Sequence, residues 1–307
     1  MITNNIYNKI ISIDSFWISS SNMENENYID YAQKYYNIAK KIKEQLHIQF
    51  VEDNNYRINN YDTMDIDYKN YMIINNLVDL SNINVITYNN CNLLPDGLHF
   101  GRLGYINWVN TFVNNIDFNC NYLFDKKIYI ISDSTIDYAP YNLPDDVQNE
   151  IILERHNILI QKLVSIGFRR ENIIIDAIGG TGYISSGCDD YEKTFKKLYD
   201  IQINYKKMIN YFTNNFDING KINDKYFNDA INIIYNTFGL DNNLFLCRLM
   251  KFYLNNSNDK IDYLISLGFG NDIGNIKQLE SDKLIDYKTL LFMTNLFCSF
   301  AKIKLIN

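Results

Sequence analysis

The sequence predicts an α/β protein built on a parallel β-sheet, and three observations carry that prediction. The apolar run Ile128 to Ile131, β-branched and aromatic, stops abruptly at Ser132-Asp133-Ser134-Thr135. Such a run reads as a strand buried on both faces. A helical pattern follows, starting at Asp145 or Asp146 and closed by Gly167, with Ile152, Leu159, Leu163 and Ile166 on its apolar face. NIIIDAI (172–178) is then a second buried run, so strand, helix and strand come in the order that makes a parallel sheet. IDYLISL (261–267) is a third clear strand, and NKIISI (8–13) and HIQFV (47–51) are shorter ones. The expected architecture is a single three-layer α/β/α domain over 1–307. Its five-stranded parallel sheet is drawn from 127–131, 172–177, 261–267, 8–13 and 47–51.

The remaining elements follow from periodicity. Tyr31, Tyr35, Ile38 and Ile42 recur at helical spacing and predict a helix over 28–46. Residues 52–82 are polar and Asn/Asp-rich, and no element is placed there. INVITY (83–88) reads as a short strand. In LLPDGLHFGRLGYINWVNTF (93–112), Pro95 and Gly97 mark a tight loop, and Tyr105 to Phe112 predicts a helix with Trp108 and Phe112 on one side. Residues 113–125 are a hydrophilic joint. Residues 183–258 read as helical, with Tyr191, Phe195, Leu198 and Ile209 in one amphipathic segment and Tyr226 to Phe238 in another. The stretch is longer than a crossover needs, which predicts a helical insertion forming a cap. A last helix covers 283–303.

Composition narrows the function. The chain has 307 residues and a net charge of −7, with no basic face to compensate, which argues against binding a phosphate backbone. Five scattered cysteines, none in a CxxC pair, point to reduced thiols rather than zinc or a disulfide framework. No apolar run approaches a membrane span and the N-terminus lacks a signal-peptide pattern, so the expectation is a cytoplasmic protein by default.

Four polar clusters carry candidate chemistry: Ser132-Asp133-Ser134, Gly179-Gly180-Thr181-Gly182, Gly270-Asn271-Asp272 and Asp96-Gly97-Leu98-His99. The first three follow strands, and in a parallel sheet they emerge on one edge, where open α/β sheets bind ligands. A hydroxyl needs a base to act as nucleophile at neutral pH. His99 can be that base, with Asp96 holding its tautomer. Backbone N–H groups at Ser134 and Gly180, with the amide of Asn271, can surround an oxyanion. Each piece also has a plain reading: a local Asp96–His99 hydrogen bond, a tight glycine turn, an Asn271-Asp272 cap. His156 falls near the apolar face of its helix and reads as a packed histidine. His47 has no evident partner.

Taken together, the four clusters resemble the blocks of the SGNH (GDSL-like) hydrolase family. YIISDST is similar to its serine block, AIGGTGY to its glycine block, DYLISLGFGND to its Asn-Asp block, and LPDGLHFGRLGY to its Asp-x-x-His block. The resemblance implies a flavodoxin-like sheet and a triad of Ser134, His99 and Asp96. It also implies an oxyanion hole of Ser134, Gly180 and Asn271, and no metal or organic cofactor. Ser132 and Phe269 stand where the family has glycine. The family places Asp-His last, whereas here it comes first. Reading 119–307 before 1–118 restores the family order, so the expectation is a circular permutant in which 1–118 corresponds to the family's C-terminal half. Such rearrangement is tolerated when chain ends lie close together. A rival nucleophile, Asp14-Ser15, has no glycine block or Asn-Asp turn between it and Asp96. The implied activity is hydrolysis of an ester, with O-acetyl groups on a carbohydrate as the family's common substrate. An acyltransferase with the same triad and a catalytically inactive binding or structural protein are the alternatives. An acylated small molecule or carbohydrate is the expected partner.

Overall fold

The computed structural model describes residues 9–14, 40, 44, 48–52, 85–92, 94, 99–187, 191–214, 224–256, 260–267, 271–272 and 287–306. The chain is α/β with a wholly parallel sheet. Its strands are β1 (Ile10–Asp14), β2 (Gln49–Glu52), β3 (Ile128–Ser132), β4 (Ile173–Ala177) and β5 (Tyr263–Leu267). They lie in the order β2-β1-β5-β3-β4, and every neighbouring pair is parallel. Counted from β3 through the chain end and on from β1, that order reads 2-1-3-4-5, a doubly wound sheet.

The described helices are α1 (Val85–Asn90), α2 (Arg102–Asn115), α3 (Asp145–Ser165), α4 (Tyr191–Asn204), α5 (Lys206–Asn214), α6 (Asp224–Phe238), α7 (Phe245–Asn255) and α8 (Tyr287–Phe300). A wide π turn, Ala301–Leu305, ends the last of them. The sheet alternates its apolar side chains between two cores. Ile128, Ile130 and Ile265 face Tyr105, Trp108 and Phe112 of α2 and Leu159 and Leu163 of α3. Tyr129, Ile131 and Leu264 face the residues of α4 to α8. Alternation is the rule for a strand with two covered faces, and β3 is buried along its whole length.

Three expectations are corrected. INVITY is not a strand. Residues 85–90 form the short helix α1, in which Val85 and Ile86 are exposed and Tyr88 is sealed. Two β-branched residues and a threonine gave a strand propensity that the packing of Tyr88 overrides. The helical stretch after the glycine block is not a cap. Phe195, Leu198, Met208, Phe212, Phe227 and Leu249 belong to one apolar core with strand residues Tyr129 and Ile131, so these helices are the layer itself on that face. In α3 the sealed stripe is Ile151, Arg155, Leu159 and Leu163, and Ile152 and Ile166 are only partly buried. The helix predicted over 28–46 lies outside the described residues except at Lys40 and Glu44, both helical.

The two ends of the described chain approach each other. Ile306 bridges Ile261, and the carbonyl of Lys9 accepts from the N–H of Leu264 at 2.9 Å. Both contacts fall at the amino end of β5. Residues 113–125, which join α2 to β3, carry buried Phe118 and Leu123 and one left-handed residue, Asn119 at φ 46°.

Candidate active site

The site forms where strand connections part to opposite faces. From β3 the chain turns into α3 on one face, and beyond β5 it reaches α8 on the other. Such a divergence, at the carboxyl ends of two adjacent strands, is where open α/β sheets place their ligands. Ser132 is level with Ala177 of β4 and Leu267 of β5, so the three strands end side by side at one edge.

Ser134 sits in a turn closed by the N–H groups of Ile136 and Asp137, both donating to the carbonyl of Asp133. The Asp133 carboxylate caps the same turn by accepting from the N–H of Thr135 at 2.8 Å. Ser132, at the family's glycine position, is a regular β3 residue with no left-handed backbone, so the geometry there demands no glycine.

His99 arrives from a different part of the chain. The loop that carries it is pinned by Leu94 N–H to the His99 carbonyl at 2.8 Å and by Gly101 N–H to the Asn92 carbonyl at 3.1 Å. A Cβ on Gly101 would stand 2.3 Å from the Cys91 carbonyl oxygen, and one on Gly104 would stand 1.8 Å from that of Asn92. The two glycines therefore allow α2 to press against 91–92 and deliver His99 to the sheet edge. Its imidazole stacks on Tyr138 with ring centroids 3.5 Å apart and planes 2° from parallel. Its Nε2 lies 3.2 Å from Ser134 Oγ, within hydrogen-bond range.

The glycine block packs beside the serine. Gly179 donates its N–H to Asp137 Oδ2 at 3.1 Å, and a Cβ on it would lie 3.9 Å from the Ser134 Cβ. Gly180 takes the left-handed conformation at φ 74°. The N–H groups of Ser134 and Gly180 donate to no acceptor among the described residues. Both are therefore available to an oxyanion. Asn271 is nearby but engaged: its Nδ2 donates to Asp133 Oδ2 and to the Thr181 carbonyl, each at 3.0 Å. In this arrangement the side chain ties the serine loop to the glycine block.

Asp272 holds that block from below. It is fully buried and accepts from the N–H groups of Tyr183, Ile184 and Ser185 at 2.8 to 3.0 Å. Burial pushes its carboxyl up to about 6, against the opposing pull of those three donors. A Cβ on Gly182 would meet Asp272 Oδ1 at 2.5 Å, which explains the third glycine of the block.

Two buried arginines were not singled out by sequence reasoning. Arg248 of α7 donates to the Asp176 carboxylate, to the Ser132 carbonyl at 3.1 Å and to Thr181 Oγ1 at 2.8 Å. Tyr129 OH donates to the same Asp176 carboxylate, and burial raises its hydroxyl far above the usual tyrosine range. Arg155 of α3, wholly buried, donates to the carbonyls of Thr135, Ile136 and Phe100. The available signal was an arginine on each apolar stripe, one in IILERHNIL and one in LFLCRLM. His156 is partly buried, and burial lowers its imidazole below the ordinary value. Asp96, Phe269, Gly270, Ser15 and His47 lie outside the described residues.

Ser134, His99, the glycine block and Asn271 are thus brought to one rim by four separate segments. No protein-family model, curated protein or solved structure matches the chain.

Proposed function

We propose that this chain is a serine hydrolase acting on carboxylic esters, built as a circularly permuted three-layer domain of the SGNH type. The observation that carries the proposal is the 3.2 Å approach of His99 Nε2 to Ser134 Oγ at the carboxyl edge of a parallel sheet. The sheet order counted from β3 and the closeness of Lys9 and Ile306 beside β5 support the permutation. The two unengaged N–H groups at Ser134 and Gly180 support acyl chemistry.

In the reaction, Ser134 Oγ attacks the ester carbonyl carbon while its proton passes to His99 Nε2. The carbonyl oxygen takes up negative charge facing the N–H groups of Ser134 and Gly180. Collapse expels the alcohol, which receives the proton from His99 and leaves an acyl-serine. Water then attacks that ester with His99 again as base, releasing the acid and restoring the hydroxyl. Asp96 is assigned the orienting role on His99. Asn271 joins the oxyanion hole when one of its donors turns from Asp133. The substrate class is an acylated small molecule or carbohydrate, with O-acetyl the simplest case; this narrower assignment rests on the sequence resemblance alone.

Turnover of p-nitrophenyl acetate and labelling by a serine-directed phosphonate test the proposal. Ser134→Ala and His99→Gln are each expected to lower kcat by ~10⁴-fold or more, and Ser134→Ala to abolish labelling. Labelling that survives Ser134→Ala would refute the assignment, as would wild type indistinguishable from it in both assays.

A further inference from the structure

Arg155 touches both halves of the proposed dyad's support. Its Nη2 donates to the Thr135 carbonyl at 2.7 Å and its Nε to that of Ile136 at 3.1 Å, both in the turn that carries Ser134. Its Nη1 donates to the carbonyl of Phe100, the residue after His99, at 2.9 Å. The guanidinium carbon lies 4.2 Å from the centre of the Tyr105 ring. No solvent reaches the side chain, and no carboxylate pairs with it among the described residues.

This is an unusual place for a charge. A buried cation without an anion is costly, and burial of a charge is ordinarily tolerated only with pairing or full hydrogen bonding. Here three carbonyl oxygens and one aromatic face supply the compensation. A helix interior needing only stability at this stripe would carry an aliphatic residue, as at Ile151, Leu159 and Leu163. What an aliphatic residue cannot do is hold two loops from distant parts of the chain at a fixed spacing. The planar guanidinium can, because its donors have fixed relative directions.

We propose that Arg155 is the positioning residue of this site: its guanidinium sets the separation between Ser134 and His99 by gripping the backbone on either side of the pair. The proposal rests on the serine-hydrolase reading above. It assigns a role to a residue that touches neither substrate nor reacting atoms. A second tie, Arg102 Nε to Glu154 Oε1 at 2.7 Å, joins the same two helices nearer the surface. That tie fixes α2 against α3, whereas Arg155 fixes the loops themselves.

The test compares wild type, Arg155→Lys, Arg155→Met and Leu163→Ala, using p-nitrophenyl acetate turnover, phosphonate labelling rate and thermal midpoint. Leu163 lies on the same buried stripe, two turns further along α3, and has no donor with which to grip either loop, so its truncation reports instability alone. Lysine keeps the charge but cannot hold three carbonyls in a plane. Both Arg155 variants are expected to lower kcat and the labelling rate by on the order of 10- to 100-fold, the size of effect a small misplacement produces. KM should stay within about twofold, because ground-state binding is untouched. Leu163→Ala should lose thermal stability with kcat per folded molecule unchanged. If neither Arg155 variant folds, Tyr105→Leu removes the aromatic face beneath the guanidinium, and the same kcat-selective loss is expected of it. Folded Arg155 variants with wild-type kcat and labelling, or a Tyr105→Leu protein that loses only stability, would overturn the proposal while leaving the hydrolase intact. Wild type that neither turns over ester nor labels would overturn both.

Discussion

At the scale of single residues, Asp272 couples the site to pH. Its carboxyl titrates near 6 when folded, above the ordinary carboxylate value of 3.8, because burial outweighs three backbone donors. The folded chain therefore holds a proton that the unfolded chain has already released. Stability from this group is complete below pH ~4 and is lost as pH rises towards ~6, on the order of 3 kcal/mol in all. Asp272→Asn can keep the two N–H bonds now made to Oδ1 and loses the one to Oδ2. Urea unfolding at intervals from pH 4 to 7 should show a falling stability in wild type that is flatter in the variant. Parallel curves would show that Asp272 does not titrate in that range.

The residues of the proposed dyad were legible because their chemistry is written locally: a serine ending an apolar run, and a histidine three residues after an aspartate in a glycine loop. The residues that steady them were not. Arg155 and Arg248 act on backbone carbonyls contributed by other segments, and a carbonyl leaves no trace in the sequence. Asn271 was legible as a member of the site but not in its engagement with Asp133 and Thr181, which depends on how two loops pack.

At the scale of elements, the delivery of His99 depends on α2 lying flush against residues 91–92. Gly104→Ala would drive a methyl group to 1.8 Å from the Asn92 carbonyl oxygen, and backbone on both sides must move to relieve it. The expected cost is about 1–3 kcal/mol of stability, typical of overpacking. Loss of ester turnover should exceed what that instability explains, since the His99 loop is displaced with it. Calorimetry alongside turnover separates the two. Helix and strand positions were readable where periodicity was strong, as in α3 and β3. They were misread where it was short: the six residues of α1 contain too few turns to show a helical period, and their β-branched pair points the other way. The helices after the glycine block were recognised as helices, but whether they cover a site or a sheet face is decided by their partners, Tyr129 and Ile131 among them.

At the scale of the whole molecule, the sheet order and the approach of Lys9 and Ile306 make a specific prediction about connectivity. A chain in which Asn307 is joined directly to Met1 and new ends are opened within 119–121 should fold to the same sheet. Ile306 pairs with Ile261 and Lys9 with Leu264, both at the amino end of β5, and 119–121 is a surface joint. Its ester turnover should match that of the natural chain, and its circular dichroism should superpose. Loss of the cooperative unfolding transition would mean that the natural connection through 113–125 is structurally required.

The seat of β5 between β1 and β3 also governs how this protein emerges from the ribosome. β1 and β2 are synthesised before the other strands and can pair with each other, yet the strand that must flank β1 on its inner side is the last of the five to be translated. Until then the nascent chain carries an open sheet edge, the kind of surface that invites association with other chains. Slow release of a folded product and dependence on chaperones during translation are the expected costs of that strand order.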